Sequence, residues 1–290
     1  GINQAVFGNG FEPFKNLSIG INMRYLFGTY DRSDAVLFNN GLLYNSKRLR
    51  TNGVSSLATD FGVQYLLPLK NNYEVIFGAT YANQIDLNAI QSLVEYSYIY
   101  NASGIEVPVD TVNAVLDQKG TVTLPSRYGV GLTLGKRHPD WASYAWMITG
   151  EFNSTKWTTF KDFTGNNGGL KDSYRASVGG YFVPVYALAN RKRSKSYFAL
   201  VEYRFGAFYE RTQLDLDNFP VLNYGASMGM GFPISFRNLA PGEKKSTMLN
   251  FGMVVGNRSN GQPNQLSERY VNLIFGITLG DQWFQKTKYR

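Results

Sequence analysis

Leu17-Ser18-Ile19-Gly20-Ile21-Asn22-Met23-Arg24-Tyr25-Leu26-Phe27-Gly28 is the stretch that decides the fold class. Leu17, Ile19, Ile21, Met23, Tyr25 and Phe27 fall on one face of an extended chain, and Ser18, Gly20, Asn22, Arg24, Leu26 and Gly28 on the other. Strand side chains alternate between faces, so this period of two predicts one long strand with an apolar face and a polar or small one. Soluble strands average five or six residues, whereas about 9–11 tilted residues are needed to cross a bilayer. The length points to a membrane.

The same pattern recurs along the chain. Leu57 to Leu67, Tyr73 to Tyr81, Tyr128 to Leu134, Trp146 to Phe152, Tyr174 to Phe182, Tyr197 to Tyr209, Tyr224 to Phe232, Leu249 to Val255 and Val271 to Leu279 all alternate, and residues 2 to 11 form a weaker first strand. This makes eleven strands, with no charge on the apolar face within these runs. Such a charge would cost about 2–4 kcal/mol at mid-bilayer, which accounts for the exclusion. A soluble β-sandwich would have shorter strands and faces less cleanly sorted.

Composition agrees. Only 17% of the 290 residues are charged, where a soluble domain carries roughly a quarter, while Tyr and Phe number 20 each and Gly 30. Mean hydropathy is −0.25, and no run of 18 apolar residues exists, so a transmembrane helix is excluded. The absence of Cys and the single His exclude a disulfide framework, a thiolate zinc site, a thiol nucleophile and a His-rich metal site. The expected class is all-β, a transmembrane antiparallel up-and-down β-barrel, with residues 1–290 as one barrel domain in the bacterial outer membrane.

Connections alternate in length. Shorter ones fall at Pro13 to Asn16, Pro68 to Asn72, Lys136 to Ala142, Pro184 to Ser196 and Phe236 to Ser246. Longer or more irregular ones fall at Thr29 to Gly53, Gln84 to Gly120, Thr158 to Asp172, Gln213 to Leu222 and Asn257 to Glu268. Short turns are periplasmic in outer-membrane barrels. The strand at Leu17 then ascends, the last strand descends, and the strand at residues 2 to 11 descends from outside. Single-chain bacterial barrels normally have an even strand number and periplasmic ends. An odd number of strands before residue 1, most simply three, would satisfy both rules.

Three stretches carry a family resemblance. Leu124-Pro125-Ser126-Arg127-Tyr128-Gly129-Val130-Gly131 resembles the start of a middle strand in FadL-like outer-membrane proteins, and Trp146 to Trp157 resembles the strand that follows it. Asn223-Tyr224-Gly225 through Gly231-Phe232-Pro233-Ile234, then Glu268-Arg269-Tyr270 through Asp281-Gln282-Trp283-Phe284 and Lys288-Tyr289-Arg290, resembles the C-terminal third of the Bacteroidota branch of that family. The resemblance implies a fourteen-stranded barrel with an N-terminal hatch, importing long-chain fatty acids or other hydrophobic compounds. Eleven strands here would leave three, with the hatch, upstream of Gly1. Some relatives of the fold are subunits of larger outer-membrane secretion or assembly machines and transport nothing themselves.

Little in the sequence points to catalysis. His138 lies in a predicted periplasmic turn with no nameable Ser partner, and Asp215 and Asp217 lack a calcium-loop pattern. The strand glycines precede no helix and form no phosphate loop. A non-enzymatic protein without cofactor or metal is expected. The candidate site is a lumen polar network of Arg24, Asp60, Glu74, Arg127, Glu151, Arg175, Glu202 and Arg204, whose mixed signs suit an interior ion-pair network or a docking wall better than a simple ion-selective pore. Inward glycines, among them Gly62, Gly78, Gly131, Gly179 and Gly229, leave volume beside that wall for a hatch, a ligand or water.

Fourteen of the 29 basic residues map to the predicted periplasmic side: Lys15, Lys70, Lys136, Arg137, Arg191, Lys192, Arg193, Lys195, Arg237, Lys244, Lys245, Lys286, Lys288 and Arg290. The patch at Arg191, Lys192, Arg193, Lys195, Lys244 and Lys245 suits leaflet phosphates or an acidic envelope protein, and its location argues against nucleic acid. Phe14, Tyr65, Tyr73, Trp141, Trp146, Phe232 and Trp283 form the expected interfacial girdle. The functional expectation is import of a hydrophobic small molecule; the alternative is a structural or accessory barrel in a multi-protein outer-membrane secretion or assembly complex.

Overall fold

A computed structural model of the protein describes residues 1–38, 43–137, 144–184, 196–234, 247–262 and 265–279. The described residues form thirteen antiparallel strands. In chain order they are β1 (Ile2–Phe14), β2 (Leu17–Val36), β3 (Asn45–Pro68), β4 (Tyr73–Ala82), β5 (Ile85–Tyr100), β6 (Glu106–Leu124), β7 (Arg127–Arg137), β8 (Tyr144–Thr155), β9 (Ser173–Phe182), β10 (Glu202–Leu216), β11 (Phe219–Pro233), β12 (Met248–Ser259) and β13 (Ser267–Thr278). Eleven of them form one continuous path, β1-β2-β3-β4-β7-β8-β9-β10-β11-β12-β13. The architecture is an up-and-down antiparallel β-barrel.

The alternation seen in the sequence becomes the wall. Residues such as Ile21, Leu57, Phe77, Val130, Ile148, Val178, Phe205, Met228 and Phe251 stay exposed on the outer face although they are large and apolar. Such a continuous apolar band is stable only against lipid, where each side chain gains about 1.5–3 kcal/mol relative to water. Among the described residues no ladder joins β1 to β13.

The stretch expected as a long outer loop, Gln84 to Gly120, is instead folded. The lower half of β3 pairs with β4 (Asp60↔Ala82 through Pro68↔Glu74), while its upper half pairs with β5 (Asn45↔Tyr98 through Ser55↔Asn88). β5 and β6 form a hairpin, and β2 accompanies β3 to the pair Val36↔Ser46. The sheet thus continues past the neighbouring strands as a four-stranded arm on the side of the long connections, which is extracellular by the rule that short turns are periplasmic, and Thr29 to Gly53 is mostly ladder as well. Gln213 to Leu222 is also tighter than expected: Asp217 and Asn218 both adopt left-handed φ (52° and 67°), and the pair Leu216↔Phe219 closes a two-residue hairpin. Tyr197–Leu200, expected as strand, is a 3₁₀ turn whose Tyr197 hydroxyl donates to the Pro233 carbonyl (2.9 Å).

Candidate functional site

Inward positions on β2, β3, β4, β7 and β8 build a shallow trough of about 440 Å³, floored by Gly20, Gly62, Gly78 and Gly131 and bordered by Gln64 and Glu151. A second depression of about 480 Å³ continues it toward the extracellular side, bordered by Asn22, Asp60, Thr80 and Arg127. Three predicted site residues meet there. The Arg24 guanidinium forks onto Asp60, with Nη2 donating to Oδ1 and Nε beside Oδ2, both at 2.7 Å. Arg127 approaches the same carboxylate at 3.7 Å. Register explains the reach: Asp60 faces Ala82, and Ala82 faces Arg127, so Arg127 passes over a methyl group.

The other predicted residues form separate groups rather than one network. Glu74 receives Arg137, with Nε beside Oε1 at 2.8 Å and Nη2 donating to Oε2 at 2.9 Å; the Tyr144 hydroxyl donates to Oε2 at 2.9 Å. Arg175 pairs with Glu210 at 3.2 Å and lies 4.4 Å from the centre of the Phe208 ring. Glu210 also accepts from Asn223, which in turn accepts from the Tyr270 hydroxyl (both 2.9 Å). Glu202 binds Arg204 two residues along its own strand at 2.6 Å, and Glu151 accepts from Asn153 at 2.6 Å. Arg137, Tyr144, Glu210, Asn223 and Tyr270 escaped the sequence-based selection. Arg137 had been assigned to the basic periplasmic surface, whereas its charge is neutralised at the wall by Glu74.

An apolar cluster and a strap lie beyond the extracellular end of the trough. Leu26 and Ala58, both inward-facing, pack with Leu87 at the base of the arm, and Ile85, Val122 and Leu124 surround them. The segment between β8 and β9 forms a strap along the rim. Its Lys161 exchanges backbone hydrogen bonds with Thr123 of β6 (2.8 and 3.2 Å), and the Lys171 amide donates to the Gln213 carbonyl of β10 (3.0 Å). Asp162 accepts from the amides of Thr164 and Asn166 (2.9 Å each) and from the Thr164 hydroxyl (2.7 Å), fixing the strap's turn. Those hydrogen bonds hold its carboxyl below the usual range against the opposing pull of burial.

On the arm, Lys47, Tyr96 and Glu106 form a compact cluster. Lys47 Nζ donates to Glu106 Oε2 at 2.8 Å and the Tyr96 hydroxyl donates to Oε1 at 2.6 Å. The hydrogen bond from Lys47 lowers the Glu106 carboxyl, and the same bond raises the Lys47 ammonium. Arg48, hydrogen-bonded to Glu95, lowers that carboxyl.

Asp215 and Asp217 do not converge: Asp215 is 3.6 Å from Arg211, and Asp217 accepts from Gln265 at 3.0 Å. Among the described residues no group of three or more His, Cys, Asp or Glu is placed to hold a metal ion. His138, Trp141, Arg191, Lys192, Arg193, Lys195, Arg237, Lys244, Lys245, Trp283, Lys286, Lys288 and Arg290 lie outside the described residues. Phe14, Tyr65, Tyr73, Trp146 and Phe232 stand at the tight-turn ends of their strands, as a girdle requires.

The family model for BamG matches residues 1–290. The chain belongs to the BamG family. No curated protein matches it. Among solved structures, the CymD monoaromatic hydrocarbon channel is similar with a TM-score of 0.52 and 12% identity, over 95% of this chain and 72% of the channel's. That likeness is one of fold and extends the FadL-like resemblance no further than the architecture. Family and fold together make this BamG-family chain an outer-membrane β-barrel.

Proposed function

We propose that the protein is a non-enzymatic accessory barrel of a multi-protein outer-membrane assembly complex. The observation that carries this reading is the extracellular arm: β2, β3, β5 and β6 extend the wall into a folded platform with an apolar cluster at its base. An apolar cluster and a strap also lie at this end of the wall, where a partner would meet them. The family name, BamG, points the same way.

Hydrophobic-compound import is the second reading, favoured by the glycine-floored trough and by the fold shared with a hydrocarbon channel. The charged border of Asp60 and Arg127 suits such a cargo less well.

Purification of the tagged protein from its own membranes separates the two. Stoichiometric envelope proteins are expected for the accessory role, and a bound lipid-like compound without protein partners for import. Because Ala82 and Arg127 are already opposite one another, residues 83–126 can be replaced by a two-residue turn. The shortened protein should still run as a heat-modifiable folded barrel while losing most of its co-purifying protein. Undiminished co-purification would remove the arm from the argument.

A further inference from the structure

At the tight-turn end of the wall, one outward row reads Tyr73, Lys136, Trp146, Phe182 and Tyr203 on five successive strands, each directly opposite the next. Four are aromatic and one is a cation. Lys136 continues the lipid-facing series Tyr128, Val130, Leu132 and Leu134 of β7, so its stem rises from the apolar band. Tyr73 and Trp146 flank it from the neighbouring strands and meet edge-on at 6.0 Å between centroids. The Lys136 ammonium lies 5.2 Å from the centre of the Tyr73 ring.

No carboxylate among the described residues lies within ion-pair distance of Lys136. The adjacent cation shows the contrast. Arg137, one residue on and facing inward, is fully engaged by Glu74. Two neighbouring positive charges thus have opposite fates: the inner one is neutralised by the protein, and the outer one is presented, half-buried between two rings, at headgroup depth. Lys70, in the turn that packs against β7, adds a second cation at this end. A half-buried ammonium at a membrane interface is costly unless an anion meets it, and aromatic rings favour the same depth because they tolerate both glycerol and acyl carbons.

We propose that Tyr73, Lys136 and Trp146 form a headgroup site for an anionic phospholipid of the periplasmic leaflet. The ammonium pairs with the phosphate, and the two rings pack against the glycerol and the first methylenes.

Native mass spectrometry of the whole protein released from nanodiscs tests this, using equimolar phosphatidylglycerol and phosphatidylcholine. Wild-type protein should retain phosphatidylglycerol in preference to phosphatidylcholine. Lys136→Gln should lose that preference by about fivefold to tenfold, the scale of one charge-assisted contact. Lys136→Arg should keep it, and Arg258→Gln at the extracellular rim should not alter it. Equal retention of the two lipids by wild-type protein would overturn the proposal, a result that does not depend on any variant folding. Unchanged preference in folded Lys136→Gln would overturn it too, as would displacement of the lipid by millimolar inorganic phosphate, which would mark a site for the free anion.

Discussion

The inner wall uses glycine in two different ways. On β9 and β11 the neighbouring backbones press close: a methyl group at Gly179 would lie 3.1 Å from the Phe205 carbonyl oxygen, and one at Gly229 would lie 3.0 Å from that of Phe251. On β3 and β4 the space is open. A methyl at Gly62 would find its nearest neighbour at 4.0 Å, and one at Gly78 would find nothing within 4 Å. The same residue on the same face is required by the sheet in one half and by nothing in the sheet in the other. Packing therefore explains the first set and leaves the trough as a feature to be explained by what works against it.

The strongest test of this contrast is a pair of alanine substitutions compared by urea titration of vesicle-refolded protein. Gly229→Ala should destabilise by about 1–3 kcal/mol, because the added methyl presses on a backbone carbonyl that must shift within the ladder. Gly78→Ala should be neutral or stabilising by about 0.4–1 kcal/mol, since it restricts the unfolded chain and meets no obstacle. Equal losses would end the distinction.

The ion pairs should differ between the halves as well. Asp60→Asn leaves Arg24 at the trough, with only 19% of its side chain exposed, without its forked partner, and should cost about 1–2 kcal/mol in the same titration. Glu210→Gln frees Arg175, which is 43% exposed and retains the Phe208 ring, and should cost about 0.5 kcal/mol. The reverse order would mean that the trough wall is not the more tightly held of the two.

The smallest expected effect concerns the arm and leaves the membrane wall unchanged. Glu106 and Glu95 titrate lower when folded than when unfolded, so their contribution is present above the ordinary carboxylate value and is lost as pH falls through the lowered folded value. Lys47 titrates higher when folded, so its contribution is present below the ordinary ammonium value and is lost as pH rises through the raised one. Protease cutting within 85–124 should therefore be slow at neutral pH and rise only in acid below the usual carboxylate range. Glu106→Gln should bring the acid-induced rise in cutting to neutral pH. Cutting that is already fast at neutral pH in the parent protein would break this expectation.

Much of the wall was legible because lipid enforces a period of two, and the eleven membrane-length strands follow from that alternation alone. The arm was not legible because water does not enforce the period. β6 carries Pro108, Asp110 and Asp117 and accommodates three register shifts against β5, so its hydrophobic pattern drifts across both faces. Those same irregularities blunt an exposed edge strand. In the site, alternation assigned side chains to the inner face but could not set register. Arg24 meets Asp60 diagonally, since Asp60 itself faces Asn22, and Glu74 is satisfied by an arginine from the end of β7 rather than by another member of the predicted set.

The direct pairing of β4 with β7 has a consequence for the order of folding. These neighbours in the wall are separated in sequence by the whole arm, and closing so long a loop delays a hairpin. The arm removes the delay if it folds first. Its own strands turn back through residues 101–105 and bring Ile85 opposite Leu124, which delivers the ends of β4 and β7 to one another. The insertion then serves as a splint for the wall, and its length can change without altering a single register pair in the membrane.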